Sequence, residues 1–285
     1  MQTVTLNNGV EMPLVGLGTY QDTLDPAECT RSVAAAIEAG YRLIDTAQNY
    51  GNERAVGEGI RASGLPRKEL FLTSKVWFRS FESGECRASV LRSLERLGVD
   101  HIDLMLLHWP YGNTYAAWRD LEALYAEGVL RAIGVSNFSP DRWIDLIKFN
   151  KVVPAVNQIE THLYCQRRDE RVWMDKYKVA HQAYAPLGQC RSDILALPAV
   201  RAAAQAHGKT PAQVALRFLV QQGISVIPKS VRAERIRENI DVFDFELTGG
   251  EMAALRAADK AMPMMGDAAE PGRAESAITW GIREQ

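Results

Sequence analysis

The chain has 285 residues, 47% of them apolar and 24% charged, with a net charge of −2. This is an ordinary composition for a water-soluble globular protein, and it excludes the basic field that draws in nucleic acid or an anionic membrane. The length suits two small domains or one large barrel, and either buries a substantial core.

The first element is a hairpin. Asn8-Gly9 lies between Val4-Thr5-Leu6 and Val10-Glu11-Met12 and predicts a tight turn with positive φ at both central positions. Beyond it the chain alternates between short apolar runs and amphipathic stretches. The runs end near Gly18, Asp45, Lys75, His108, Asn137, Glu160, Pro186 and Ser230. Between most of them lie helical patterns such as 27–39, 84–97, 115–126 and 211–220. The run Leu104-Met105-Leu106-Leu107 is apolar on both faces, as in a parallel sheet covered by helices. Residues 248–259 form a further helix candidate. After it, Met262–Gln285 is rich in Met, Gly and Pro and reads as an irregular tail outside the barrel.

Eight βα units with no Gly/Ser-rich linker predict an α/β (β/α)₈ TIM barrel, one domain over residues 1–285. The alternative is a doubly wound open sheet, but its dinucleotide fingerprint is missing. Gly16-Leu17-Gly18 lacks the third glycine. Gly57-Glu58-Gly59 followed by Ala62 has the spacing but lies inside a helical pattern instead of after a strand. No apolar run approaches the roughly 18 residues of a membrane span, and the first residues lack the basic-then-apolar pattern of a signal peptide. Cys29, Cys86, Cys165 and Cys190 lie far apart with no Cys-x-x-Cys, which argues against a zinc ribbon or a secreted disulfide scaffold. A reducing cytoplasm is the expected compartment, and a monomer the expected state.

In a barrel the active site lies where strands end and βα loops begin. Asp45, Lys75 and His108 fall on that rim, and Tyr50 follows Asp45 by five residues. A phenol has a reference pKa near 10, and an adjacent ammonium lowers it. Lys75 supplies the ammonium in this reading, Asp45 holds it, and His108 donates a hydrogen bond to a substrate oxygen. Such a set suits protonation of a carbonyl oxygen that gains charge on accepting hydride. Taken singly, each residue has a plainer explanation: a helix cap for Asp45, a solvated charge for Lys75, a core histidine for His108. The joint pattern outweighs them.

With intervals of 5, 25 and 33 residues between Asp45, Tyr50, Lys75 and His108, the chain resembles the aldo-keto reductase family from Gly16-Leu17-Gly18-Thr19 to Phe243-Asp244-Phe245-Glu246-Leu247. The nearest branch is the prokaryotic one that includes diketogluconate reductases. The resemblance implies NADPH-dependent reduction of small aldehydes and ketones, with Tyr50 as proton donor. It implies that Ser136, Asn137 and Gln158 hold the nicotinamide carboxamide and that Tyr184 stacks on its ring. Leu187 and Val231 join the cofactor site. Lys229, Ser230 and Arg235 would clamp the 2′-phosphate, with Glu238 and Asn239 at the adenine. Ser230 also reads as a helix N-cap beside these cations, a setting that favours phosphate. Tyr20, Trp77, His108 and Trp109 are the expected substrate contacts, with Phe78 either there or in the core, and Trp280 with the tail on the far side. One departure is visible: His162-Leu163 stands where the family often has His-Pro. The rivals are a cofactor-binding subunit with little turnover, and a barrel metal hydrolase, for which no His-x-His or His-Glu-x-x-His is present.

Overall fold

The structure is a computed structural model, and it describes residues 2–20, 25–190 and 192–279. The strands β1 (Thr3–Thr5) and β2 (Glu11–Pro13) form an antiparallel hairpin. Its connection is not the two-residue turn expected from Asn8-Gly9. Leu6 N donates to Val10 O and Gly9 N to Leu6 O, so the loop spans three residues, 7–9. Of Asn8 and Gly9, only the glycine has positive φ, at +84°. This is a tight turn closed by a glycine bulge, which needs left-handed backbone once and not twice.

Eight parallel strands follow: β3 (Leu17–Gly18), β4 (Leu43–Asp45), β5 (Phe71–Val76), β6 (Leu104–Leu107), β7 (Ile133–Ser136), β8 (Val156–Glu160), β9 (Ala180–Tyr184) and β10 (Ser225–Val226). Each pairs with the next in sequence. The ring closes between first and last, because Val15 bridges Val226 and Gly18 N donates to Pro228 O. The helices are α1 (Pro26–Glu38), α2 (Glu53–Ser63), α3 (Glu85–Leu97), α4 (Thr114–Ala126), α5 (Pro140–Phe149) and α6 (Arg168–Tyr177), one per crossover. The crossover from β9 to β10 carries α7 (Ser192–Leu195), α8 (Pro198–His207) and α9 (Pro211–Val220). After β10 come α10 (Ala233–Ile240), α11 (Gly249–Arg256) and α12 (Pro271–Ile278). Among the described residues no helix is long and apolar enough to cross a membrane. The (β/α)₈ barrel read from the spacing is the fold.

Strand side chains alternate between two faces. Ile44, Leu72, Met105, Leu107, Ile133, Val135, Ile159 and Ala183 join the layer between sheet and helices. Leu43, Phe71, Leu104, Leu106 and Val156 join a second cluster inside the ring, with Leu6 and Met12 of the hairpin. The hairpin therefore plugs the N-terminal end of the barrel. Along each strand the inward parity leads upward from these residues to the opposite rim. Leu43 leads to Asp45, Phe71 to Lys75, Leu106 to His108 and Val156 to Gln158. Ser136 and Tyr184 lie beside them through the registers Ser136–Gln158 and Glu160–Tyr184. One two-residue rule thus gathers the polar groups at one end.

The tail is not irregular throughout, because α12 forms within it. It is also tied to the barrel. Glu160 accepts from Met264 N at 2.5 Å and Met265 N at 2.9 Å, Tyr164 O accepts from Lys260 N and Met262 N, and Tyr111 Oη donates to Ala268 O.

Candidate active site

Tyr50 ends a single 3₁₀ turn, Gln48–Tyr50, which Gly51 closes at φ +70°. The side chain of Gln48 pins that turn by accepting from Trp77 N at 3.0 Å and donating to Ser89 and Ser93. Lys75 is fully buried, and its ammonium makes three hydrogen bonds, which uses its full donor capacity. They run to Asp45 Oδ1 at 2.5 Å, Thr46 O at 2.9 Å and Tyr50 Oη at 3.2 Å. The second oxygen of Asp45 accepts from Gln158 Nε2 at 2.8 Å. His108 lies edge-on to Tyr50, with ring centroids 5.7 Å apart. The four residues of the expected set are therefore together.

Burial raises the Asp45 carboxyl and lowers the Lys75 ammonium, while their contact opposes both shifts. The Tyr50 phenol lies well above its ordinary value. Burial is the largest cause, followed by the charge of Asp45 and by Tyr20. The sequence predicts a phenol lowered by Lys75; the resting site differs because burial, with the charge of Asp45 adding to it, raises the phenol instead. His108 falls well below the usual imidazole range through burial and then Lys75, so it is neutral at pH 7.

A cavity of about 640 Å³ opens at this rim, within the range of small-molecule sites. Asp45, Tyr50, His108, Tyr20 and Trp109 line it, as do Ser136, Asn137, Gln158, Tyr184, Leu187 and Lys229. Ser136 Oγ donates to Gln158 O at 2.8 Å, and Asn137, at φ +63°, donates to His108 O at 3.0 Å. Tyr184 Oη donates to Asn137 Oδ1 at 2.8 Å, which fixes its ring in the wall.

Other expected residues lie elsewhere. Trp77 is fully buried and outside the cavity wall, where it packs edge-on against His108 at 5.4 Å. Phe78 belongs to the core between Trp77 and Tyr111. Ser230 is not an N-cap: α10 starts after Arg232, and Ser230 Oγ accepts from Arg232 N at 3.2 Å. Val231, Arg235, Glu238 and the buried Asn239 sit beyond the cavity, after β10 and on α10. Arg235 is exposed and pairs with Glu238 at 2.8 Å. Trp280 lies outside the described residues. His162-Leu163 begins a tight turn closed by paired backbone hydrogen bonds between His162 and Cys165, so the missing proline costs the loop no order. Met265 and Arg273, from the tail, also line the cavity and carry no local sequence pattern that singles them out. Among the described residues no group of three or more His, Cys, Asp or Glu side chains is arranged to hold a metal ion.

A closed parallel barrel with a buried Asp–Lys pair behind a tyrosine, at the C-terminal mouth, defines a class of barrel oxidoreductases. The chain belongs to the aldo-keto reductase family: the model of the Aldo/keto reductase family matches residues 14–260. An aldo-keto reductase of Mycobacterium sp. (strain MCS) is 46% identical over 261 residues, covering 90% of this chain and 91% of the relative. A glyoxal reductase of Bacillus subtilis (strain 168) is 44% identical over 259 residues, covering 90% and 93%. The crystal structure of a Bombyx mori aldo-keto reductase in complex with NADP matches with a TM-score of 0.89 at 32% identity, covering 96% of each chain.

Proposed function

We propose that this chain reduces small aldehydes and ketones to alcohols with NADPH, that Tyr50 is the proton donor, and that residues 1–285 act as one barrel domain in the cytoplasm. The observation that carries the reading is the contact of Tyr50 Oη with Lys75 Nζ at 3.2 Å, in the wall of a cavity that His108 also lines. A reduced nicotinamide, when bound, would supply the hydride. The raised pKa keeps Tyr50 protonated at rest, the state a donor needs. When the carbonyl oxygen gains charge, the Tyr50 proton moves to it, and the ammonium of Lys75 faces the phenolate left behind. Neutral His108 orients the carbonyl without adding a charge. Support for the cofactor comes from the donor set. Gln158 has its amide nitrogen engaged by Asp45 and Gln182, which leaves its carbonyl oxygen as an acceptor for a carboxamide. The ring of Tyr184 offers a flat wall, and Lys229 with Arg235 offers charge for a 2′-phosphate. The NADP held by the Bombyx mori relative and the small dialdehyde named for the Bacillus subtilis relative agree with this reading.

Tyr50→Phe should cut carbonyl reduction by roughly a hundredfold or more, as expected for loss of a general acid. NADPH binding, followed by cofactor fluorescence, should hold. A Tyr50→Phe protein that turns over near the parent rate would remove the assignment. Steady NADPH oxidation with a simple aldehyde separates this enzyme from a cofactor-binding subunit.

A further inference from the structure

The ammonium of Lys75 donates to Asp45 Oδ1, Thr46 O and Tyr50 Oη. All three acceptors belong to residues 45–50, which run off the end of β4 into the 3₁₀ turn of Tyr50. A loop of this kind does not by itself keep three acceptors at the distances one ammonium needs. Asn52, two residues beyond Tyr50, supplies the constraint.

Asn52 is 2% exposed. Its Oδ1 accepts from Thr46 Oγ1 at 2.7 Å, and its Nδ2 donates to Thr19 O at 2.8 Å. Thr19 donates to Asp45 O from both N and Oγ1, each at 3.0 Å. One amide thus grips Thr46 directly and Asp45 through Thr19, and its own backbone leads through Gly51 to Tyr50. Capping of α2 does not explain the residue. Asparagine at an N-cap commonly accepts from a backbone N–H of the first turn. Asn52 stands at that position, yet its side chain makes no cap bond and turns to the two threonines instead. Thr19 O can only accept and needs an N–H, whereas Thr46 Oγ1 arrives as a donor and needs an acceptor. An amide offers both, and a carboxylate lacks the first.

We propose that Asn52 is a positioning residue for the proton transfer: it holds Asp45 and the Thr46 carbonyl in one frame, so that the Lys75 ammonium meets Tyr50 Oη. The proposal rests on the reductase reading. Asn52 acts from behind, since Thr19 lines the cavity and Asn52 does not.

The test uses Asn52→Ser, which keeps a favourable cap for α2 and removes the bridge, and Thr46→Val, which keeps the shape of Thr46 and removes its hydroxyl. Single-turnover oxidation of bound NADPH by a simple aldehyde reads the chemical step. Asn52→Ser should slow it by about ten- to a hundredfold, the range expected when reacting groups shift by about 1 Å or less. Thr46→Val should slow it in the same direction, and Thr46→Ser should recover most of the parent rate. NADPH affinity and KM for the aldehyde should change much less than the rate. Parent rates in Asn52→Ser or Thr46→Val, or losses of affinity as large as the loss of rate, overturn the proposal. A second readout needs no turnover. In protein carrying isotope-labelled lysine, the Lys75 ammonium resonance is identified by its absence from Lys75→Met. It should be protected from exchange in the parent and lose that protection in Asn52→Ser and Thr46→Val. An unchanged resonance overturns the proposal. If the parent oxidises no NADPH with aldehydes, the reductase reading fails, and the resonance alone decides whether Asn52 positions Lys75.

Discussion

Gln182 decides which way the amide of Gln158 faces. Ser225 Oγ donates to Pro13 O at 3.0 Å and so offers Gln182 only lone pairs. Gln182 Nε2 donates to it at 3.2 Å, which turns Gln182 Oε1 to accept from Gln158 Nε2 at 2.7 Å. Gln158 Nε2 in turn donates to Asp45, the partner of Lys75. A polarity set near the hairpin plug thus reaches the Asp45–Lys75 pair. Gln182→Met removes the acceptor and leaves a buried N–H of Gln158 without its partner, at a cost of about 1–3 kcal/mol. Cofactor affinity should fall by about tenfold while kcat falls less, because Asp45 still engages Lys75 directly. Gln182→Glu keeps an acceptor and should retain more affinity. Equal cofactor binding by parent and Gln182→Met protein would count against a positioning role. Nothing in the local sequence singles out this glutamine. Its role comes from sharing the inward parity of β9 with Tyr184, and parity is visible only once the strand is placed.

At the scale of elements, Gly57-Glu58-Gly59 has the spacing of a phosphate loop and does something else. Both glycines sit in α2, which packs between α1 and α3. A Cβ at Gly57 would lie 2.2 Å from Leu97 O, and one at Gly59 would lie 2.7 Å from Thr30 O. The small residues permit close helix approach, and backbone on the other side cannot move aside as a side chain would. Gly57→Ala must push the end of α3 outward. The gain in helix propensity, up to about 1 kcal/mol, does not offset overpacking of about 1–3 kcal/mol against backbone. The variant should melt several degrees lower. An unchanged melting temperature would show that α3 yields freely at Leu97.

Across the whole molecule, what was legible follows from periodicity. Strand ends, crossovers and the gathering of Asp45, Lys75 and His108 need only alternation and length, so they read directly from the chain. The hairpin loop, the cap at Ser230 and the tail do not, because each depends on contacts with distant segments. The tail is ordered by Glu160 and Tyr111, residues that no pattern in 262–285 announces. Trp77 is a similar case: its position after β5 suggests the mouth, while packing buries it against His108.

Burial of ionisable groups within the fold also has a consequence for the whole molecule. His181 on β9 is buried with Nε2 2.7 Å from Thr161 Oγ1, and its pKa is lowered to about 3. The cause is burial first, then Arg171 and Arg167. The unfolded chain binds a proton near pH 6.5 that the folded chain refuses until about pH 3. Below 6.5 the unfolded state therefore holds more protons, and stability falls as pH falls through that window. Each pH unit costs about 1.4 kcal/mol per such group, or roughly 2 kcal/mol from His181 at pH 5. His108 adds to this in the same direction. Above pH 6.5 neither contributes a slope. His181→Gln keeps a polar partner for Thr161 and removes the titration. Its urea midpoint should drop less than that of the parent between pH 7 and pH 5. Parallel pH profiles for the two proteins would mean that His181 takes up its proton in the folded barrel.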